Sequence, residues 1–300
     1  MAQIRLKSLN SLYSDYGGKP ALKPIVNSQA ISVDGVKGYN IYNGYLYYGK
    51  YDGTSEGYDQ TYYNIYRKNL TTGAISLFKY TNVDDNYQKW SLVVNGLNGN
   101  IMYLLLAQGW GSKVYTLNLD NGTLKSYQII YSSGSISGNA SNNAIYAKNK
   151  IFMFTSGGDG YSYDLATNTA TSFWAGGGKT TYDGNDTLYI ATFISGNRYI
   201  YKYTISTEID SRIYTFPSNL GSFESYYMSY FNNGIYFFFI NEGTAYYMYR
   251  FNLSNNTMAK IDNTDYRSIV VSSSSIYWGQ ASIISKYAYF PMNAKYGKLK

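Results

Sequence analysis

Ten of the eighteen carboxylates in this chain fall in polar segments between runs of alternating apolar residues. They are Asp52, Glu56, Asp59, Asp84, Asp85, Asp159, Glu224, Glu242, Asp262 and Asp265. Carboxylates matter here because the other common catalytic groups are missing: there is no His and no Cys. Imidazole bases, thiolate nucleophiles, disulfides and the usual zinc, copper and haem ligand sets are therefore excluded. Three kinds of carboxylate chemistry remain. Two carboxyls facing each other at roughly 5–9 Å hydrolyse glycosides. Clustered oxygen donors bind calcium, and Asp52-Gly53-Thr54-Ser55-Glu56 with Asp59 supplies such donors without the full spacing of a calcium loop. Carboxylates beside exposed rings bind sugars, because hydroxyls donate to the former and apolar sugar faces stack on the latter. Trp110, in Gln108-Gly109-Trp110-Gly111, and Trp174, before Gly176-Gly177-Gly178, are the candidate rings. Trp110, Trp174, Asp52, Glu56, Asp59, Asp159, Arg198 and Glu242 form the candidate binding set. No catalytic residue, metal or cofactor is expected.

A repeat must position these residues. Short aromatic strands open at Tyr45-Leu46-Tyr47, Ile101-Met102-Tyr103, Ile151-Phe152-Met153, Leu188-Tyr189-Ile190, Ile235-Tyr236-Phe237 and Ile276-Tyr277-Trp278. Second strands answer them from Tyr66, Tyr115, Tyr161, Tyr201, Tyr249 and Tyr289. The first five answers share a pattern: Tyr, two variable residues, a small polar residue, then Leu or Ile. The aliphatic landmarks Leu70, Leu119, Leu165, Ile205 and Leu253 stand 49, 46, 40 and 48 residues apart. A short strand and an Asn/Gly turn precede each opener, and a turn and a further strand follow each answer. Tight turns recruit Asn and Gly because they tolerate positive φ. Four period-two strands in each such unit define a β-propeller blade.

The expected fold is therefore all-β: a β-propeller of six four-stranded blades, with seven as the alternative. Residues 36–300 form the propeller, and residues 1–35 form an extension. From that extension Ile4-Arg5-Leu6-Lys7-Ser8-Leu9 is expected to join the last blade, whose own fourth strand at Tyr296–Lys300 is poor. Two compact domains are the other arrangement. In radial blade order the candidate set lies on the face that carries the strand-two-to-three and interblade loops.

The segment Tyr161–Trp174 resembles the third and fourth strands of kelch-type and related propeller blades. The likeness covers residues 36–300 as a rhythm, and paired glycines occur at Gly157-Gly158 and Gly176-Gly177-Gly178. A Tyr-rich, Cys-free and His-free chain without an apolar leader also resembles proteins encoded by viruses of hyperthermophilic acidophilic archaea. That resemblance implies a virion or extracellular location. The repeated Asp-box and arginine triad of sialidase propellers are missing.

Charge and sequons refine the expectation. The net charge of +7 is spread without a basic stripe, which argues against nucleic acid. No run approaches the ~18 apolar residues of a membrane span, and the start, Met1-Ala2-Gln3-Ile4-Arg5, has no signal-peptide core. Few carboxylates and no imidazoles predict tolerance of acid. Asn-x-Ser/Thr occurs at Asn69, Asn121, Asn139, Asn185, Asn252 and Asn255, all but Asn139 in turns on the face opposite the candidate set. The expected function is a non-enzymatic binding module, recognising a protein or glycan on a host surface, or other virion proteins. A structural virion component and a propeller-type glycoside hydrolase are the alternatives.

Overall fold

The computed structural model describes residues 31–32, 39–51, 63–79, 90–108, 111–129, 144–154, 159–176, 178–218, 220, 227–231, 233–242, 245–261, 282–284, 287–292 and 295–299. Among these the protein is all-β. The strands in chain order are β1 (Ile31–Ser32), β2 (Tyr39–Tyr42), β3 (Tyr45–Tyr51), β4 (Tyr63–Asn69), β5 (Ile75–Lys79), β6 (Trp90–Asn98), β7 (Ile101–Gln108), β8 (Gly111–Asn118) and β9 (Leu124–Ile129). They continue as β10 (Ile145–Ala147), β11 (Lys150–Phe154), β12 (Gly160–Asp164), β13 (Thr169–Trp174), β14 (Lys179–Tyr182), β15 (Thr187–Ile194), β16 (Asn197–Thr204) and β17 (Ile209–Thr215). The last are β18 (Tyr227–Phe231), β19 (Gly234–Glu242), β20 (Ala245–Asn252), β21 (Thr257–Lys260), β22 (Ser282–Ile284), β23 (Tyr287–Met292) and β24 (Lys295–Leu299).

β2–β5, β14–β17 and β18–β21 each make a four-stranded antiparallel meander, and β6–β9 and β10–β13 make two more within one eight-stranded sheet. The fold class is the β-propeller, built of four-stranded blades. The chain groups into two compact units, Asp34–Gly178 and Met1–Val33 with Lys179–Lys300.

In the first unit, the leading strands of successive blades lie side by side. β6 and β10 pair in parallel through Asn95 and Ile145, and the Asn95 N–H donates to the Ala144 carbonyl at 2.9 Å. Between the first two blades a side chain does this work. Buried Asn40 on β2 donates from Nδ2 to the Val94 carbonyl at 2.8 Å and accepts the Gly96 N–H on Oδ1 at 2.8 Å. Apolar faces fill the space beyond. Tyr47, Ile65, Val93, Met102, Leu104 and Leu117 form one cluster; Val94, Tyr103, Leu105, Val114, Ile151 and Tyr163 form the next. Burying each such side chain contributes about 1.5–3 kcal/mol, so the blades hold together mainly through aromatic and branched faces.

The second unit repeats the scheme. Thr181 Oγ1 on β14 accepts the Tyr230 N–H of β18 at 2.8 Å. Behind it Ile200, Phe216, Ile235, Phe237 and Phe251 pack as one core. Its last sheet has the order β22-β23-β24-β1, so an N-terminal strand does complete the final blade. The strand that does so is Ile31–Ser32, paired with Tyr296 and Lys295; Ile4–Leu9 lies outside the described residues. β24 also forms a regular ladder with β23, which corrects the expectation of a poor final strand. Tyr289 sits in β23, beside β22, and the opener Ile276–Trp278 lies outside the described residues.

Three outer strands carry a bulge opposite the landmark tyrosine. Pairing jumps from Ile65↔Lys79 to Tyr66↔Leu77, from Gly160↔Trp174 to Tyr161↔Ser172, and from Ile200↔Tyr214 to Tyr201↔Arg212. The extra residues are Phe78, Phe173 and Ile213. A bulge bends and twists a strand, and here it supplies one more apolar side chain to the blade face. Phe78 meets Tyr47 edge-on at 5.1 Å, and Phe173 meets Phe152 edge-on at 5.3 Å.

Candidate functional site

Each blade has two dissimilar ends, and the sequence pattern explains one of them. The small polar landmark closes the last strand-to-strand turn. Asn69 Oδ1 accepts the N–H groups of Thr71 and Thr72; Asn118 Oδ1 accepts those of Asp120 and Asn121; an Asp164 carboxylate oxygen accepts those of Ala166 and Thr167; Asn252 Oδ1 accepts that of Ser254. These are Asx turns, which short Asn and Asp side chains form readily. Four positions beyond each landmark the backbone turns left-handed, at Gly73, Gly122, Asn168, Glu208 and Asn256. The aliphatic landmark then clamps the two turns of its blade together. The N–H groups of Leu70, Leu119, Leu165, Ile205 and Leu253 donate to the carbonyls of Gly44, Asn100, Asn149, Asp186 and Asn233, at 2.8 to 3.2 Å. Five blades thus share one closed turn end.

The opposite end carries the variable connections. In the blade of β14–β17 the connection has shrunk to Ser195-Gly196, both at positive φ (48° and 83°), the geometry of a tight type I′ hairpin. Beside it Phe193 is 56% exposed. Strand alternation puts Phe193 on the same face as Tyr189 and Ala191, which pack towards the next blade. Its cross-strand partner Arg198 donates from Nη1 to the Leu220 carbonyl at 2.8 Å, while the Phe216 N–H donates to the Arg198 carbonyl at 2.9 Å. The hairpin is thereby fastened to the chain that leads into the next blade. Beneath lie Tyr214, Phe216, Phe237 and Phe251 in ring contacts of 4.8 to 5.4 Å. On the neighbouring blade, Lys260 Nζ stands 3.6 Å from the centre of the Tyr247 ring, a cation–π contact. The blade of β14–β17 thus carries an exposed ring across from Arg198, and the next blade a lysine held over a tyrosine ring.

The tyrosines here are structural. Burial pushes the phenols of Tyr48, Tyr189 and Tyr203 up to about 12. They are protonated at neutral pH and pack inside their blades.

The candidate residues separate on this frame. Asp159 is exposed just before β12. Trp174 ends β13 at 8% exposure; its indole is buried, which corrects the expectation of a ring open to a sugar. The Arg198 guanidinium is committed to the Leu220 carbonyl, so it positions the hairpin. Glu242 closes β19 opposite Ala245. Asp52, Glu56, Asp59 and Trp110 lie outside the described residues, as do Asp84, Asp85, Glu224, Asp262, Asp265 and Asn139. Phe193 and the Lys260–Tyr247 pair were not singled out from sequence. An apolar residue next to a Ser-Gly hairpin was the available signal for the first.

The blade architecture defines the class of protein, and comparison with known proteins adds the following. No family model matches the chain, and no curated protein matches it. Among solved structures, TolB from Acinetobacter baumannii is 15% identical, covering 74% of this chain and 52% of its own, with a TM-score of 0.48. This chain thus spans about half the length of that protein. A chain of a nidogen/laminin complex is 11% identical over 76% of this chain and 81% of its own, with a TM-score of 0.49. BamB from Moraxella catarrhalis is 10% identical over 90% and 98%, with a TM-score of 0.44.

Proposed function

We propose that this protein is a non-enzymatic β-propeller binding module that engages a protein or glycan partner through the loop ends of its blades. Its place is a virion or an extracellular surface, as the archaeal-virus resemblance of the sequence implies. One observation carries the reading: the contrast between the two ends of a blade. Five turn ends are clamped by the same backbone hydrogen bond, whereas the loop end holds the variable connections, the exposed Phe193 ring and the pinned hairpin. Aromatic side chains supply contact area at low entropic cost, which suits a recognition surface.

The test is capture of partners from the native source on immobilised protein, run beside a glycan array. Binding by the wild type that falls at least tenfold for Phe193→Ala or Trp110→Ala supports the proposal. Equal capture by wild type and both variants overturns the loop-end assignment. Turnover of a chromogenic glycoside, abolished by one Asp→Asn change, overturns the non-enzymatic part. Recovery of the chain in purified particles with no ligand captured assigns it a structural role instead.

A further inference from the structure

Five of the six sequons lie on described residues, and the turn geometry ranks them. Asn69 and Asn252 are the landmark residues whose Oδ1 atoms hold Asx turns, and both are half-buried at strand ends. Blades without a sequon at this position use Asn118 or Asp164 for the same bonds, so the turn itself explains these two asparagines. Asn185 is exposed, but Thr187 of its sequon is only 7% exposed. A transferring enzyme that reads both residues cannot reach that pair in the folded blade.

Asn121 and Asn255 differ from all three. They occupy the same place, three positions beyond the landmark, in the blades of β6–β9 and β18–β21. Both are exposed, and so are the Thr123 and Thr257 that complete their sequons. The backbone does not demand Asn at this place. Neither residue has positive φ, and Thr72, Thr167 and Thr207 stand there in the other three blades. Thr72 Oγ1 accepts the Ala74 N–H at 3.3 Å, much as Asn121 Oδ1 accepts the Thr123 N–H at 2.9 Å and Asn255 Oδ1 accepts the Thr257 N–H at 3.3 Å. These bonds use Oδ1, so they do not occupy the nucleophilic Nδ2.

We infer that Asn121 and Asn255 are N-glycan acceptor sites, matched positions on the turn ends of their blades, and that Asn69, Asn185 and Asn252 are not. The modification joins Asn Nδ2 to the anomeric carbon of a lipid-phosphate-linked oligosaccharide. The bond from that carbon to the phosphate oxygen breaks, the lipid phosphate leaves with the electron pair, and the amide proton passes to a carboxylate of the transferring enzyme. Sugars there would leave the loop ends open. The inference rests on the surface location proposed above only in that the chain must meet such an enzyme.

Peptide mapping by mass spectrometry of protein purified from its native source tests this. Glycan mass on peptides containing Asn121 and Asn255, with the Asn69, Asn185 and Asn252 peptides bare, is the expected result. Asn121→Thr and Asn255→Thr, which copy the residue of the sister blades, should each remove one glycan mass while the fold is kept. Bare Asn121 and Asn255, or glycan on Asn69 or Asn252, overturns the inference. Location is scored separately by fractionation. A bare chain in a particle or surface fraction defeats the glycan sites alone, whereas a cytosolic chain defeats the location reading.

Discussion

The N–H of Leu119 donates to the carbonyl of Asn100 at 2.8 Å, tying the last turn of its blade to the first. Asn118, one residue earlier, makes that bond possible by fixing the turn. Its Oδ1 accepts the Asp120 N–H at 2.9 Å and the Asn121 N–H at 3.2 Å. Asn118→Ala should therefore lower unfolding free energy by about 1–2 kcal/mol, read from denaturant midpoints. Asn118→Asp should be nearly neutral, because Asp164 performs the same task in the next blade.

Gly96 stands where β6 breaks its register, at φ +102°, and a Cβ there would sit 2.9 Å from the Tyr146 carbonyl oxygen. That obstacle is backbone, so it cannot swing aside. Gly96→Ala should cost on the order of 2 kcal/mol or more. Asn40→Ala should cost about as much, by leaving the Val94 carbonyl and the Gly96 N–H without their side-chain partner. Thermal unfolding of both variants checks this; a shift within error for either would remove Asn40 and Gly96 as the link between these blades.

Asp164 titrates below its ordinary 3.8, chiefly because its carboxylate accepts the Thr167 N–H, with the Ala166 N–H and the Lys150 charge assisting. A lowered carboxylate pKa adds stability that is complete above the ordinary value and fades as pH falls through the folded one. Asp164→Asn should match the wild type near neutrality and lose less stability on acidification. Denaturation midpoints collected between about pH 2 and pH 6 test the difference.

Lys179 behaves in the opposite sense. It opens β14 paired with Ala191, partly exposed yet densely surrounded, and burial pushes its ammonium down from 10.5 to about 8. The folded state therefore holds fewer protons than the unfolded chain between those values, so stability climbs as pH rises through that window. Below it the cost of burying the charge is fully present. Lys179→Met, which keeps the apolar stem, should flatten this rise, read from denaturation midpoints collected between about pH 7 and pH 11.

Much of this architecture was legible in the sequence because blades are written in periods. The openers and answers became β3/β4, β7/β8, β11/β12, β15/β16 and β19/β20, since alternating aromatic residues can bury one face only as strands. The small polar and aliphatic landmarks were visible as letters, but their roles needed geometry: one is a side-chain cap, the other a backbone donor. Asn40 was invisible, because a buried amide bridging blades breaks no local pattern. Trp174 misled for a related reason. A tryptophan before a glycine run looks like a loop residue, whereas its position at the end of β13 encloses it. The strand seen beside β24, Ile31–Ser32, is too short to show a period, so only its ladder reveals it, whereas the clearer alternation of Ile4–Leu9 lies outside the described residues.

The five turn clamps join backbone atoms only 16 to 26 residues apart. A contact so short in sequence costs little loop entropy to close, so each blade can assemble and seal itself before its neighbours arrive. Because donor and acceptor are both main chain, the clamp asks for a backbone shape rather than particular side chains. Blades of this kind can be copied, exchanged or rewritten at the loop end while the closed end stays constant. Such modularity lets the loop ends vary without changing how the blades fold.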